Sequence, residues 1–443
     1  MRFARLKRSV FVCFSCVVLC AITAGAVSPE AVELTPVYIN ELAEQMRTNN
    51  PGLRAAAQRL EAAVANQGSV KVWEDPVTKF GVMGATEMMR ANDGDLLYGV
   101  EQMLPLFGRA AAEKRMAAAE RGVAEVGADY KFQTLRLDLA RTLFGVGLAA
   151  EEWVIGQEDL AWIEAIAGTV EQKYRAGQAT LAEVLQIQNE RARRASQLKS
   201  QSATVEAGGA TLNRLLNRSS TNVWPTFRLP PPATGVLFNQ TLIDFALRYE
   251  PRSRQLREEI KQADAGLDRT RRGRFPDVGI GVEGRNYSGD GRFRQAMVTV
   301  SVSLPWLNRS KYQSSIRRDG LKVEAARKDL EDLELALVED LRRLTIKIEN
   351  ARRESALYRE EIIPRSQTAL ESARAGWETG RETLRDMLEA RRMLLEARVM
   401  RARATGEQYQ MLSELVLCCG IGDLEALKML GEGVVDNSGK GQK

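Results

Sequence analysis

The chain has 443 residues, a formal charge of +5 at neutral pH, 44% hydrophobic and 27% charged residues, and no histidine. That length allows more than one ordinary domain, and the commonest general base and metal ligand is missing. Aromatic residues make up only 6%, while Ala, Leu, Arg and Glu recur, a bias toward long helices and coiled coils.

Residues 1–26 read as a cleaved signal peptide. Arg2, Arg5, Lys7 and Arg8 form a basic start, Val10 to Ile22 an apolar core, and Ala24-Gly25-Ala26 a cleavage site. About 13 apolar residues are too few to span a bilayer as a helix. A lipoprotein signal would need small residues before its cysteine, and Leu19 precedes Cys20. Losing four cations takes the charge from +5 to +1, so charge gives no argument for nucleic-acid binding. Cys13, Cys16 and Cys20 leave with the signal. Cys418 and Cys419 remain, adjacent, which is no disulfide framework. They read as packed side chains near a helix end, with an inter-subunit disulfide as the other reading.

A first unit occupies 27–240. Helix is expected over 36–72, interrupted at Asn50-Pro51, where proline can open a new helical turn. Asp75-Pro76 ends it, and strands follow at about 77–87 and 97–104, with Asn92-Asp93-Gly94-Asp95 as a turn-rich loop. After Leu104-Pro105-Leu106-Phe107-Gly108-Arg109 comes a helical hairpin over about 110–216. Met116, Val123, Tyr130, Leu137 and Phe144 fall seven apart, the spacing of a supercoiled seam. The hairpin bends at Tyr174-Arg175-Ala176-Gly177-Gln178-Ala179-Thr180-Leu181. A linker at 217–240, with Trp224-Pro225 and Pro230-Pro231-Pro232, packs beside the helices.

A second unit over 241–420 repeats the first. Pro251, Pro276 and Pro305 answer Pro51, Pro76 and Pro105, each 200 residues later. The heptad returns as Ile316, Val323, Leu330, Leu337 and Leu344, and the hairpin spans about 309–420. Its bend, Trp377-Glu378-Thr379-Gly380-Arg381-Glu382-Thr383-Leu384, shares the pattern aromatic-x-x-Gly-x-x-Thr-Leu. Gly177 and Gly380 are 203 apart, so the second long helix carries three more residues. Agreement at this many positions identifies an internal duplication. Residues 421–443 form a tail.

The second unit's strands, at about 277–287 and 295–304, alternate plainly. Val278, Ile280 and Val282 interleave with Gly279, Gly281 and Glu283. Ala296, Val298, Val300, Val302 and Leu304 interleave with Gln295, Thr299, Ser301 and Ser303. Phe80, Val82, Tyr98, Val100 and Leu104 hold the matching apolar positions of the first unit. Ten residues at about 3.4 Å reach roughly 34 Å, enough to cross a membrane when tilted. Four strands cannot close a barrel, and an open edge in lipid is not tolerated. Three chains would supply twelve strands, apolar faces to lipid and polar faces to water. The expected fold is mainly α with a β membrane part, two repeats per chain, and a 12-stranded barrel closed in a trimer.

This order of elements, given twice, resembles the TolC family of outer-membrane export ducts over about 40–420. The hairpin tip at 174–185, Tyr-Arg-Ala-Gly-Gln-Ala-Thr-Leu-Ala-Glu-Val-Leu, is similar to the family's. Leu104 to Arg109 resembles the strand-to-helix junction of its CzcC and CusC heavy-metal branch. The resemblance implies a homotrimer embedded in outer-membrane lipid, with a helical barrel descending through the periplasm. There it would meet a periplasmic adaptor and an inner-membrane pump of RND or ABC type. It further implies that adaptor hairpins dock on Gly177, Thr180 and Leu181, and on Gly380, Thr383 and Leu384. Glycine suits a tight bend and threonine can cap the returning helix.

Glu183 and Asp386 are equivalents one turn past each bend. Threefold symmetry would make rings of up to six carboxylates that favour cations and gate a pore, or else they lie on a solvated helix face. Arg175 and Arg381 are candidate partners holding the end closed.

The leading expectation is therefore a passive duct without catalytic residues, cofactor or bound metal. A type I secretion duct would share its fold. A periplasmic adaptor would have one hairpin flanked by more β sequence, and a coiled-coil scaffold would leave the strands without a role. No nucleophile elbow, phosphate loop or metal-ligand cluster supports an enzyme. Gly279-x-Gly281-x-x-Gly284 lies inside a strand, where no dinucleotide turn forms.

Overall fold

In a computed structural model of the chain, the described residues are 31–83, 95–287, 291–422 and Leu427. The expected signal peptide with its three cysteines, residues 84–87 of the first expected strand, the expected loop residues Asn92, Asp93 and Gly94, residues 288–290 and most of the expected tail lie outside them.

The first unit opens with β1 (Val32–Glu33), α1 (Pro36–Asn49) and α2 (Pro51–Ser69). The interruption at Asn50-Pro51 is a helix cap. The Asn50 side chain accepts hydrogen bonds from the N–H groups of Gly52 and Leu53 at 2.8 and 3.2 Å, and Pro51 takes a position whose missing N–H costs nothing. The second unit repeats the device. The Glu250 carboxylate accepts from the N–H groups of Arg252 and Ser253 and caps α6, which starts at Pro251.

Between these helices and the hairpins stand the strands β2 (Val77–Met83) and β3 (Asp95–Met103) of the first unit. The long helix α3 (Arg109–Arg175) has 67 residues, about 100 Å at 1.5 Å per residue. It returns as α4 (Leu181–Leu215). The linker contributes β4 (Phe227–Arg228), which pairs in parallel with β1. Its Trp224 indole donates to Asn213 at 2.9 Å, and Phe227 and Leu229 are buried beside Leu139, Leu143 and Phe144 of α3.

The second unit runs α5 (Gln240–Tyr249), α6 (Pro251–Arg272), β5 (Val278–Tyr287), β6 (Phe293–Val302), α7 (Arg309–Leu357), α8 (Ile363–Glu378) and α9 (Leu384–Cys418). β6 lies about two residues earlier than its sequence pattern indicates. A bulge between Arg285 and Asn286 shifts its pairing, and Pro305, which has no N–H for a ladder, starts a 3-10 turn over Pro305–Asn308. The four main strands form one antiparallel sheet in the order β2-β3-β5-β6. One hairpin from each unit therefore meets at the β3–β5 seam, and β2 and β6 are the two open edges of a sheet that a single chain does not close.

A π-helical turn, Tyr358–Ile362, separates α7 from α8. Pro364 explains it: its ring crowds the carbonyl four residues back and it donates no hydrogen bond, so the helix widens by one turn instead of breaking. The 49, 5 and 16 residues of α7, the π turn and α8 make a helical arm three residues longer than α3.

Phe144 and Val323, Leu337 and Leu344 of the two heptads are buried, and Met116, Tyr130 and Leu137 are half-buried along the arms. Cys419 sits in a third cluster with Leu242, Leu341, Leu415 and Leu427. Burial pushes both thiols up to about 12, so they pack as apolar groups. Cys419 is fully enclosed by its own chain, which leaves it no reach to another subunit.

Candidate functional site

Both hairpins turn by the same backbone chemistry. Gly177 has φ +69° and Gly380 φ +74°, the left-handed region that glycine enters without strain. In the first turn Gln178 N–H bonds the Lys173 carbonyl at 2.8 Å and Gly177 N–H bonds that of Tyr174 at 3.0 Å. In the second, Arg381 N–H bonds Gly376 at 2.8 Å and Gly380 N–H bonds Trp377 at 3.2 Å. This paired closure satisfies carbonyls that a helix end otherwise leaves open.

Each returning helix then begins with a reciprocal cap. Glu183 N–H donates to Thr180 Oγ1 at 3.3 Å, while Thr180 N–H and hydroxyl donate to Glu183 Oε2 at 2.7 and 3.0 Å. Asp386 N–H donates to Thr383 Oγ1 at 3.3 Å, and Thr383 N–H and hydroxyl donate to Asp386 Oδ2 at 3.0 and 2.6 Å. The hydroxyl and N–H of Thr383 hold the Asp386 carboxyl below the usual carboxylate range. Both acids are therefore engaged by their own turns, and the spacing Thr-x-x-Glu and Thr-x-x-Asp is the signal for it. Asp386 is nonetheless exposed and Glu183 half-exposed. Arg175 and Arg381 are exposed, and neither makes an ion pair within the chain among the described residues.

The leucines of the two turns part company. Leu181 is 55% exposed and Leu384 is 1% exposed. Leu384 packs with Ile163, Ile166, Val170, Val184 and Met387 in a cluster that joins the two hairpins. Its side chain is thus withdrawn from any docking surface, contrary to what the shared motif implies. Lys173 Nζ sits 3.9 Å from the Trp377 ring centroid across the same contact.

Sequence reading missed an ionic cluster farther up the hairpins. Asp159 of α3 is buried, with Arg391 Nε of α9 at 2.7 Å and Arg194 Nε of α4 at 3.0 Å. Glu190, also buried, lies 2.8 Å from Arg392 and 3.6 Å from Arg194. The Arg391 guanidinium covers Trp162 at 4.9 Å. Three helices from both hairpins are thereby tied at one level. The available clue was an acid at position 159 on the stripe that also carries Ile155, Ile163 and Ile166.

At the far end of α3 the sheet has two unlike faces. Phe80, Tyr98, Gly284 and Ala296 stand in one cross-strand row, next to Val82, Val100, Val282, Val298 and Val300 on the same face, and the two aromatic rings and five valines are exposed. The other face holds Lys79, Glu101, Glu283, Thr299 and Ser301. Lys79 Nζ lies 2.5 Å from Glu101 and 3.9 Å from Glu283, and the Ser301 hydroxyl donates to Glu101. Glycines at 99, 279 and 281 leave room for these side chains to lie along the sheet; a Cβ at Gly99 would come 2.7 Å from Glu283 Cγ. Below it, Arg109 pairs with Asp277, and Phe107 stacks on Phe275 at 5.4 Å, joining the two units where sheet becomes helix.

Residues 42–218 and 242–420 both match the family described as "Outer membrane efflux protein". The chain is 22% identical over 405 residues to the cobalt-zinc-cadmium resistance protein CzcC of Cupriavidus metallidurans, covering 87% of this chain and 93% of that one. Its fold matches the outer-membrane channel OprN with a TM-score of 0.76 at 19% identity, over 86% of this chain and 89% of that one. It matches CusC with a TM-score of 0.75 at 15% identity, over 86% and 92%.

Proposed function

Because this chain belongs to the outer membrane efflux protein family, we propose that it is the outer-membrane duct of a tripartite export system, working as a homotrimer. Twelve strands from three chains would close a barrel in outer-membrane lipid. The helices would continue through the periplasm to a periplasmic adaptor and an inner-membrane pump, of RND or ABC type. Residues 1–26 would direct export and be removed.

One observation carries this reading. A sheet with an exposed apolar face, a polar face and two open edges stands at one end of α3, and paired turns stand about 100 Å away at the other. A single chain leaves both edges and the apolar face unsatisfied, and closure in lipid answers both. The Lys79–Glu101–Glu283 face would then line the bore. The chain would carry no catalytic residue, and energy and cargo selection would rest with the pump. The relative from Cupriavidus metallidurans is named for cobalt, zinc and cadmium resistance, which makes divalent metal cations the first cargo class to test.

The adaptor would meet the exposed turns around Gly177 and Thr180 and around Gly380 and Thr383, without Leu384. Glu183 and Asp386, with Arg175 and Arg381 beside them, would ring the narrow end as its gate. Cells lacking this chain, with pump and adaptor intact, should retain the exported cargo until the chain is restored. Undiminished export in its absence would overturn the assignment.

A further inference from the structure

The linker folds back on the first hairpin and leaves a cleft of about 430 Å³ between itself, α3 and α4. Two glycines of α4 shape it. A Cβ at Gly208 would come 2.3 Å from Val146 Cγ2, so glycine lets α4 lie close to α3 at that level. A Cβ at Gly209 would come 3.4 Å from Trp224 Cδ1, so the bare backbone there keeps space open beside the indole. Trp224 itself is fixed. Its N–H donates to Asn213 Oδ1 at 2.9 Å, and Asn213 Nδ2 donates to the Asn222 carbonyl at 2.8 Å. Asn213 is 1% exposed, so a buried amide holds the linker wall of the cleft in place.

The lining is largely apolar, with Val146, Ala150 and Val205 beside the rings of Trp153 and Trp224. Among the described residues one charged side chain lines it, Glu206. Glu206 is exposed, and its carboxylate makes no ion pair or hydrogen bond among the described residues. The Trp153 indole N–H is likewise unused among them, and no cation stands over its ring. Arg218 lies 4.8 Å from the centroid of the Trp224 ring but does not line the cleft. Trp153 and Glu206 are therefore the groups left without a partner.

We propose that this cleft binds a small organic cation, with its ammonium group between the Glu206 carboxylate and the face of Trp153 and its apolar body on Val146, Ala150 and Val205. Charge complementarity selects this class. An anion would meet Glu206. A bare metal ion would find one carboxylate and no second charged ligand, too few to replace its water shell. A neutral apolar ligand would take water from the carboxylate and give nothing back. An organic cation answers both the carboxylate and the ring, whose face attracts positive charge, and the cleft has the size of an ordinary ligand pocket. Trp153 lies roughly 66 Å from the start of α3 and roughly 33 Å from the first turn. The site is thus far from both the sheet and the turns, and it does not rest on the duct reading. Its walls come from the linker and from both helices of one hairpin, so a bound ligand ties the two together and stabilises the fold by mass action.

The test titrates benzyltrimethylammonium into the detergent-extracted protein and follows binding by ligand-observed NMR, with empty micelles as background. Benzyl alcohol is the neutral comparator and phenylacetate the anionic one. Saturable binding of the cation, weaker binding of both comparators and a higher melting temperature with the cation alone are expected. Glu206→Gln and Trp153→Ala should each weaken binding about tenfold. Position 206 is exposed, so Glu206→Gln keeps the fold and decides the matter even where Trp153→Ala lowers the yield. Absence of saturable binding would overturn the site. Equal binding by Glu206→Gln, or comparators bound as tightly as the cation, would overturn the recognition of charge. Protein that extracts as a monomer and still binds the cation would overturn the duct reading and leave this site standing.

Discussion

Leu181 and Leu384 are the same residue in two copies of one turn, yet Leu181 is 55% exposed and Leu384 1%. Their backbones agree, with a left-handed glycine four residues earlier and a threonine cap one residue earlier in both. Local sequence thus makes the turn, and the neighbouring hairpin decides what the leucine does.

The turn glycines give the first prediction. A β-branched residue at φ near +70° costs roughly 1–2 kcal/mol, because its Cβ crowds the adjoining carbonyl. Nothing lies within 4 Å of a Cβ built at either position, so the strain stays in the turn. Gly177→Val with Gly380→Val should leave trimers in the outer membrane at normal levels and reduce export severalfold. Normal export by the double variant would remove these turns from the docking surface.

The caps give the second. Thr180→Ala and Thr383→Ala should each cost about 1 kcal/mol, seen as faster amide exchange in the first turns of α4 and α9. Thr383 lowers the folded-state pKa of Asp386, so its contribution is complete above the unfolded value, near 3.9, and is lost as pH falls through the lower folded value. Protection of the start of α9 should therefore hold from neutrality down to about pH 4 and fall below it. Glu183→Gln with Asp386→Asn should also lower cation preference in planar bilayers; an unchanged preference would confine both acids to capping.

Asp159 supports the third. Removing one member of a buried charge cluster strands the others, at a cost of about 3–5 kcal/mol. Asp159→Ala leaves Arg391 without its acid and Arg194 with the more distant Glu190 alone, so the hairpins should loosen at that level. Lower thermal stability with higher resting conductance in bilayers is expected. Equal conductance would show that this cluster does not restrain the narrow end.

These outcomes also mark how much was legible in the chain. The duplication was, because Pro51, Pro251 and Pro305 act through their own missing N–H groups and leave the same mark wherever they stand. The alternating faces of β5 and β6 were equally plain. The π turn was missed although Pro364 announces it, since a kink and a widened turn carry the same sequence sign. The pairing of β1 with β4 joins two residues to two others almost 200 positions away, too short for any periodicity. The burial of Leu384 and the clamp on Asp159 depend on helices distant in sequence. No local pattern distinguishes them from Leu181 or from an exposed acid.

A fourth prediction concerns the bore. Lys79→Gln removes the ammonium lying within 4 Å of both Glu101 and Glu283. Three copies would leave six carboxylates at that level without their lysines, and cation-over-anion permeability should rise. An unchanged ratio would place this face of the sheet away from the conducting path.

The central claim, a trimeric duct through the outer membrane, is tested most directly by the mass of the unsubstituted protein extracted in detergent from separated membranes. A particle of three chains from the outer-membrane fraction, conducting in planar bilayers, is the predicted result. A monomer recovered from the soluble periplasm would contradict it.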